Sequence, residues 1–314
     1  MAKKIILAGG SGFVGQALTD ALGREGGWEI VLLTRDPATC NVLRYKPAEV
    51  RAVKWDAKTA TGAWVAELEG AEAVVNFTGR SVNCVHTPEN RRAILESRVD
   101  SVRALGAAMA TLARPPATWI QCSAVGLYGS RDLPPVDEGA PAGQGFLADV
   151  CREWESTFHA QCPASVRPVV LRLGTVLGLG GGALPPLAKV ARLGVGGHAG
   201  PGTQGMSWIH LDDLVAIFHR ALVDPTLRGA FNAAAPDPVS NREFMRTLRQ
   251  TVHRPWSPPA PAWAIRLVAP LVMKTDPSLV LDGQYCVPAA LERAGFEFRF
   301  PGLSAALKTL LIRN

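Results

Sequence analysis

Along the N-terminal part of the chain, short apolar runs alternate with longer stretches of helical period. Ile5–Ala8, Glu29–Leu33, Ala71–Phe77, Thr118–Ser123 and Pro168–Leu177 are dominated by consecutive apolar residues. That is the pattern of strands buried on both faces of a parallel sheet. Ala52–Asp56 is a shorter run of the same kind. Between the runs, Val14, Leu18, Ala21 and Leu22 share one helical face, and Ile94, Val99, Val102, Leu105 and Met109 recur at helical spacing over Glu89–Leu112, until Pro115-Pro116 stops them. Phe146–Gln161 also reads as a helix. The loop predicted over Arg131–Gly145 is rich in Asp, Pro and Gly. Further on, the pattern predicts a helix that follows Ser207–Leu214 and runs to about Leu222, a strand at Gly229–Asn232, a helix over Asn241–His253 capped by Ser240 or Asn241, and an amphipathic helix near Leu303–Ile312.

Strands alternating with helices predict an α/β fold, a doubly wound parallel sheet of the Rossmann type. From Gly178 the character changes. Gly178–Gly182 and Gly194–Gly202 are glycine-heavy, and Pro255–Pro261 is a proline-rich break. We therefore divide the chain into a dinucleotide-binding domain, 1–177 with 207–234 returning to it, and a smaller C-terminal substrate-binding lobe, 178–206 with 235–314. The surface of that lobe against the sheet edge would form the substrate cleft.

The turn after the first run carries the chemistry. Ala8-Gly9-Gly10-Ser11-Gly12-Phe13-Val14-Gly15 places Gly9, Gly12 and Gly15 at three-residue spacing between a strand and a helix. Glycine permits the tight turn, lets backbone approach a pyrophosphate and lets helix pack on strand; the helix N-terminus then offers free N–H groups and a positive dipole end. The second run ends in Thr34-Arg35, about 20 residues past the last glycine, where such a fold reads the adenosine ribose. Arg35 suits pairing with a 2′-phosphate, hence NADP(H) rather than NAD. Asp36 next to it is the competing feature, able to neutralise Arg35 or approach the ribose itself. Asp56, closing the third run, reads as a turn aspartate before it reads as an adenine contact.

Composition narrows the reading. The chain has 314 residues, 47% of them apolar, enough for a sizeable core, and a formal net charge of +6 that suits an anionic ligand. Its Lys and Arg are dispersed, which argues against a nucleic-acid partner. No apolar stretch reaches membrane-span length, and no segment at the start resembles a signal peptide. The six cysteines form no C-x-x-C pair and read as reduced thiols of a cytoplasmic protein, with no metal site. The partner expected is a small molecule; a homodimer is left open.

Two hydroxyls, Ser123 at the end of a strand and Tyr128 in the following loop, are expected near the nicotinamide end of the crevice, beside the Thr78-Gly79 strand end. Arg98 on its helix reads from spacing as a solvated arginine. Cys151, Glu153 and His210 are titratable alternatives, and Arg172 and His198 could meet an anionic substrate group, although a structural role accounts for each of them better.

With these residues assembled, the chain resembles the extended short-chain dehydrogenase/reductase superfamily, and more narrowly its "epimerase family protein" group, which is nucleotide-sugar epimerase-like with a small C-terminal domain. Asn76-Phe77-Thr78-Gly79, Ser97-Arg98, Leu171–Gly178, Gly194–Gly197, Ser207–His210, Leu281–Gln284 and Gly295–Phe298 carry the resemblance, in order along the chain. It implies an NADP(H) site made by Gly9, Ser11, Gly12, Phe13, Val14 and Gly15, with Thr34 and Arg35 at the 2′-phosphate. Phe77, Thr78, Gly79, Arg98 and Val176 complete it, with Ser123 and Tyr128 as the candidate catalytic hydroxyls.

The superfamily's usual chemistry needs a Tyr-x-x-x-Lys pair one helical turn apart, in which lysine lowers the tyrosine pKa so that a proton moves with the hydride. Here the only tyrosines are Tyr45, Tyr128 and Tyr285, none is followed by lysine four residues on, and no lysine occurs between Lys58 and Lys189. Two functions stay open. One is an NADP-dependent epimerase or oxidoreductase with a non-standard proton donor, acting on a sugar-like or nucleotide-linked substrate. The other is a catalytically silent NADP(H)-binding regulatory or scaffold protein.

Overall fold

The computed structural model describes residues 2–40, 49–131 and 134–312. The chain runs through β1 (Lys3–Ala8), α1 (Phe13–Glu25), β2 (Trp28–Thr34), β3 (Glu49–Lys54), α2 (Val65–Leu68), β4 (Ala73–Asn76), α3 (Pro88–Met109), β5 (Thr118–Ala124) and α4 (Phe146–Gln161). It continues through β6 (Arg167–Leu173), β7 (Thr175–Leu177), α5 (Leu184–Arg192), β8 (Gly205–Met206), β9 (Trp208–His210), α6 (Leu211–Val223), β10 (Gly229–Ala233) and β11 (Val239–Ser240). The helices α7 (Asn241–Thr251), α8 (Ala262–Val268), α9 (Ser278–Leu281), α10 (Ala289–Arg293) and α11 (Leu303–Leu311) complete it.

The apolar runs form one seven-stranded parallel sheet in the order β10-β6-β5-β4-β1-β2-β3. Ile5, Ile6, Leu7, Val74, Val75, Ile120 and Val169 are fully buried. Helices cover both faces, which is why these strands are apolar without alternation; each such side chain contributes about 1.5–3 kcal/mol. From β1 the chain moves outward to β2 and β3, then returns to lay β4 on the other side of β1, with Ala8 opposite Asn76. That reversal opens a crevice at the carboxyl ends of β1 and β4, where an α/β sheet binds its ligand.

The sequence predicts a single strand over Pro168–Leu177; the structure splits it at Gly174. A Cβ there would lie 3.0 Å from the Ser207 carbonyl oxygen, and Thr175 N–H donates to that carbonyl at 2.7 Å. β6 therefore stays in the sheet while β7 leaves it to pair with β9. α2 is unanticipated, because four residues carry no periodic signal. α3 starts earlier than its apolar pattern, since Thr87 caps it by accepting from Asn90 N–H and Pro88 follows at the first helical position.

A second, smaller core joins α5, α7 and α11 through Leu184, Ala188, Phe244, Leu248, Leu303 and Leu307. Trp208 on β9 belongs to it, whereas its neighbour Ile209 belongs to the main core. One short strand thus faces both.

Candidate functional site

Four glycines shape the turn between β1 and α1, for different reasons. Gly9 has φ +72°, and a Cβ on it would sit 3.1 Å from the Thr78 hydroxyl oxygen. At Gly10 a Cβ would meet Leu7 Cβ at 2.7 Å, and at Gly15 it would strike the Gly10 carbonyl oxygen at 2.5 Å. Those three are demanded by the protein's own packing. Gly12 is not: an added Cβ would find only the Gly9 carbonyl oxygen, at an ordinary 3.6 Å. Gly12 is the N-cap of α1 and supplies no side-chain cap. The first N–H groups of α1, at Phe13, Val14 and Gly15, therefore face a bare backbone surface. The Thr78 hydroxyl is buried beside Gly9 with no hydrogen-bond partner among the described residues. A bare turn, a helix N-terminus and an orphaned hydroxyl together fit the pyrophosphate of a dinucleotide. Gly10, absent from the three-residue spacing, is recognisable only from its contact with Leu32 on the next strand.

Thr34 is buried at the end of β2 and Arg35 beyond it is exposed. Asp36, the competing feature, accepts from Ala38 N–H at 3.1 Å and caps the short turn Pro37–Thr39. Asp56 is a turn residue: it accepts from the N–H groups of Lys58 and Thr59 and from the Thr59 hydroxyl, which bring its pKa down to about 2. Tyr45 lies outside the described residues.

At the end of β4, Asn76 is fully buried. Its amide donates to Gln121 and Ser101, and its oxygen accepts from Thr78 N–H at 3.0 Å. The next residue, Phe77, packs its ring against Phe218 of α6 at 5.1 Å. Arg98, expected from spacing to be solvated, is instead folded beneath the Thr78–Arg80 segment. It donates to the Arg80 and Ile94 carbonyls, lies 5.0 Å above the Trp154 ring, and lies so close to Gly79 that a Cβ there would be 3.1 Å from the guanidinium carbon. Burial lowers its pKa. The segment Gly178–Gly182 wraps the Phe13 ring: a Cβ at Gly178 would lie 2.6 Å from it and one at Gly181 2.9 Å. The Val176 carbonyl closes this wrap, 2.7 Å from where a Gly182 Cβ would be.

The two candidate catalytic hydroxyls do not open into the crevice, contrary to expectation. Ser123 donates to Glu155 Oε1 at 2.6 Å. Glu155 also holds Arg172, whose Nη1 donates to the Tyr128 oxygen at 2.9 Å, and Tyr128 donates to Asn232 at 2.7 Å. Tyr128 is fully buried, and that burial, opposed by Arg172, pushes its pKa up to about 12. Glu138 ties this chain of bonds to the C-terminal region, accepting from Asn232 N–H and from Ala290 N–H of α10. The strand-to-loop position suggested exposure; the side chains turn inward because Arg172, opposite Ser123 on β6, needs partners for a buried charge.

On α4, the residues one turn apart that face this strand end are Leu147 and Cys151. Leu147 Cβ lies 3.8 Å from where a Gly126 Cβ would be, and the Cys151 thiol lies against Ser123 and the Ala124 backbone. Burial pushes the thiol up to about 11, so it stays protonated. Glu153 points outward to a groove between α3 and α4. His210 caps α6, its Nδ1 accepting from Asp212 N–H at 3.0 Å, while its ring stacks on Phe300. Sequence reading missed Glu155, Glu138 and Asn232. Only Glu155 left a trace, four residues after Cys151 on the same buried face; the other two are assembled from distant segments.

Residues 5–234 match the model of the NAD dependent epimerase/dehydratase family. The chain belongs to that family. Residues 260–310 match a second family, a domain of unknown function, DUF1731. Similar to this family member is the bovine (Bos taurus) epimerase family protein SDR39U1, 32% identical over 98% of this chain and 99% of its own length. The crystal structure of human epimerase family protein SDR39U1 (isoform 2) with NADPH superposes with a TM-score of 0.84, at 29% identity over 98% of each chain. A nucleoside-diphosphate sugar epimerase from Corynebacterium glutamicum superposes at 0.77, 31% identical over 99% of this chain and 58% of its own. The resemblance read from the glycine turn and the later motifs is thereby borne out.

Proposed function

We propose that this family member binds NADP(H) on the β1–α1 turn and does not run the superfamily's tyrosine–lysine proton transfer. The observation that carries this reading is the occupation of α4: of the two residues one turn apart that face the end of β5 and the turn after it, Leu147 lies by Gly126 and Cys151 against Ser123, and neither is a tyrosine or a lysine. Neither can pass a proton at neutral pH, and Tyr128 is buried and committed to Arg172 and Asn232.

Bound NADP(H) would supply hydride-transfer chemistry. The chain's own residues bind and orient. Gly12 keeps the turn bare, and the N–H groups of Phe13 and Val14 meet the pyrophosphate with the Thr78 hydroxyl. Arg35, exposed at the end of β2, pairs with the 2′-phosphate, and Asp36 stays engaged in its own turn. Arg98 holds the Thr78–Arg80 segment from behind. The human relative bound to NADPH supports the choice of cofactor. Titration of the protein with NADPH and NADH tests it: tighter NADPH binding that Arg35→Ala weakens at least tenfold is expected, while equal binding of the two would remove the phosphate role of Arg35.

A second reading is an epimerase or oxidoreductase for a nucleotide-linked sugar, with its proton handled by another group. It is favoured by the second lobe reaching the cofactor turn through Gly178–Gly182 on Phe13, and by the similarity to the Corynebacterium glutamicum nucleoside-diphosphate sugar epimerase. Incubation with UDP-linked sugars separates the two readings, with product analysis for epimerisation and nicotinamide absorbance for net oxidation or reduction, because only the second predicts turnover.

A further inference from the structure

Nine of the twelve large apolar side chains that the described residues leave exposed lie in adjoining parts of the C-terminal lobe. Six belong to α8 and the turn that continues it to Lys274: Trp263, Leu267, Val268, Leu271, Val272 and Met273, between 43% and 73% exposed. α8 has no buried residue, and the turn rests on the molecule through Ala269. The other three, Leu193, Val195 and Trp256, are joined next to it: the Ser257 hydroxyl donates to the Gly194 carbonyl, and Gly200 N–H donates to Ala260 two residues before α8. Single exposed apolar residues need no explanation, but a contiguous group of this kind marks an interaction surface.

The charges identify what it meets. From Phe244 to Thr275 the sequence has five Lys and Arg and no Asp or Glu. Arg266 and Lys274 are exposed within the apolar segment itself. Asp276, the next acid, is occupied by Ser278 and by His86 N–H, and Asp282 lies within electrostatic reach of Arg266. Large apolar side chains with two exposed tryptophans, among cations that outnumber the nearby acids, form the composition of a segment lying in a lipid interface. We propose that this face docks on an anionic lipid surface. A second copy of the chain is the poorer occupant, because a two-fold contact would set Arg266 and Lys274 near their own counterparts. Among the described residues no helix is long and apolar enough to cross a membrane, so the segment lies on the surface.

Docking would also orient the site. Immediately after Lys274, the Thr275 hydroxyl donates to Asn83 and Asp276 N–H donates to the Cys84 carbonyl, both in the loop that follows the carboxyl end of β4. The face therefore adjoins the edge of the sheet that carries the crevice.

Vesicle flotation tests this, with phosphatidylcholine vesicles containing phosphatidylglycerol against phosphatidylcholine alone, at low and high salt. The full chain should float with the anionic vesicles, less so in high salt, with a blue shift of tryptophan emission. Leu271→Ser/Val272→Ser and Arg266→Glu/Lys274→Glu should each reduce partitioning about tenfold or more while leaving the melting temperature unchanged, since all four side chains are exposed. No flotation, or flotation that neither pair alters, would overturn the proposal. So would a dimer that Leu271→Ser/Val272→Ser dissociates, which would make a second copy the occupant.

Discussion

Glu155 grips Arg172 with both carboxylate oxygens, 3.0 Å from Nε and 2.8 Å from Nη2, and the Ser123 hydroxyl bonds to one of those oxygens. The pair is buried at the end of β5 and β6, where the superfamily's chemistry would be sought. Removing one partner leaves the other charge buried and unpaired. Glu155→Ala and Arg172→Ala should each cost about 3–5 kcal/mol in urea unfolding, and the double substitution Glu155→Met/Arg172→Met far less than their sum. A double substitution that costs the sum of the two single changes would show that the charges are not coupled.

Gly12 and Gly15 should separate ligand binding from folding. A Cβ at Gly12 meets nothing closer than 3.6 Å, so Gly12→Ala should stay within about 0.5 kcal/mol of the parent while losing NADPH affinity. Gly15→Ala drives a Cβ into the Gly10 backbone and should cost about 1–3 kcal/mol. Paired urea melts and NADPH titrations check both.

Burial lowers the pKa of His210 below 6.5, although the nearby carboxylates of Asp212 and Asp213 oppose the shift and Arg299 adds to it. The unfolded chain therefore takes up this proton first as pH falls. Stability from this group is complete above about 6.5 and declines below it, by at most about 1.4 kcal/mol per pH unit, until the folded value is reached. His210→Asn keeps a side-chain cap for α6 and should flatten the slope of urea stability below about pH 6.5. An unchanged slope would assign it to other groups.

Tyr128→Phe deletes the hydroxyl between Arg172 and Asn232. If Tyr128 is structural, the substitution should cost about 1–3 kcal/mol of stability and leave NADPH affinity unchanged. Any turnover found with a UDP-linked sugar should survive it; abolished turnover with unaltered stability would restore Tyr128 as a proton donor.

The sequence by itself determined the sheet, its cofactor turn and the absence of any Tyr-x-x-x-Lys spacing. Each is a local pattern: uninterrupted apolar runs where both faces are covered, glycines between Ala8 and Gly15, a lysine-free stretch from Thr59 to Ala188. The position of Arg35 follows from the same pattern, as the residue directly after β2. Tertiary structure alone decided which way side chains at the strand ends turn. Ser123 and Tyr128 sit where exposure was expected, yet a buried Arg172 draws both inward, with Asn232 brought from β10, 104 residues beyond Tyr128. It also decided that Gly178–Gly182 closes on Phe13, and that Gly174 hands the chain from one sheet to another. A buried charge must be satisfied by whatever the fold brings near it, and that neighbourhood has no period or spacing in the sequence.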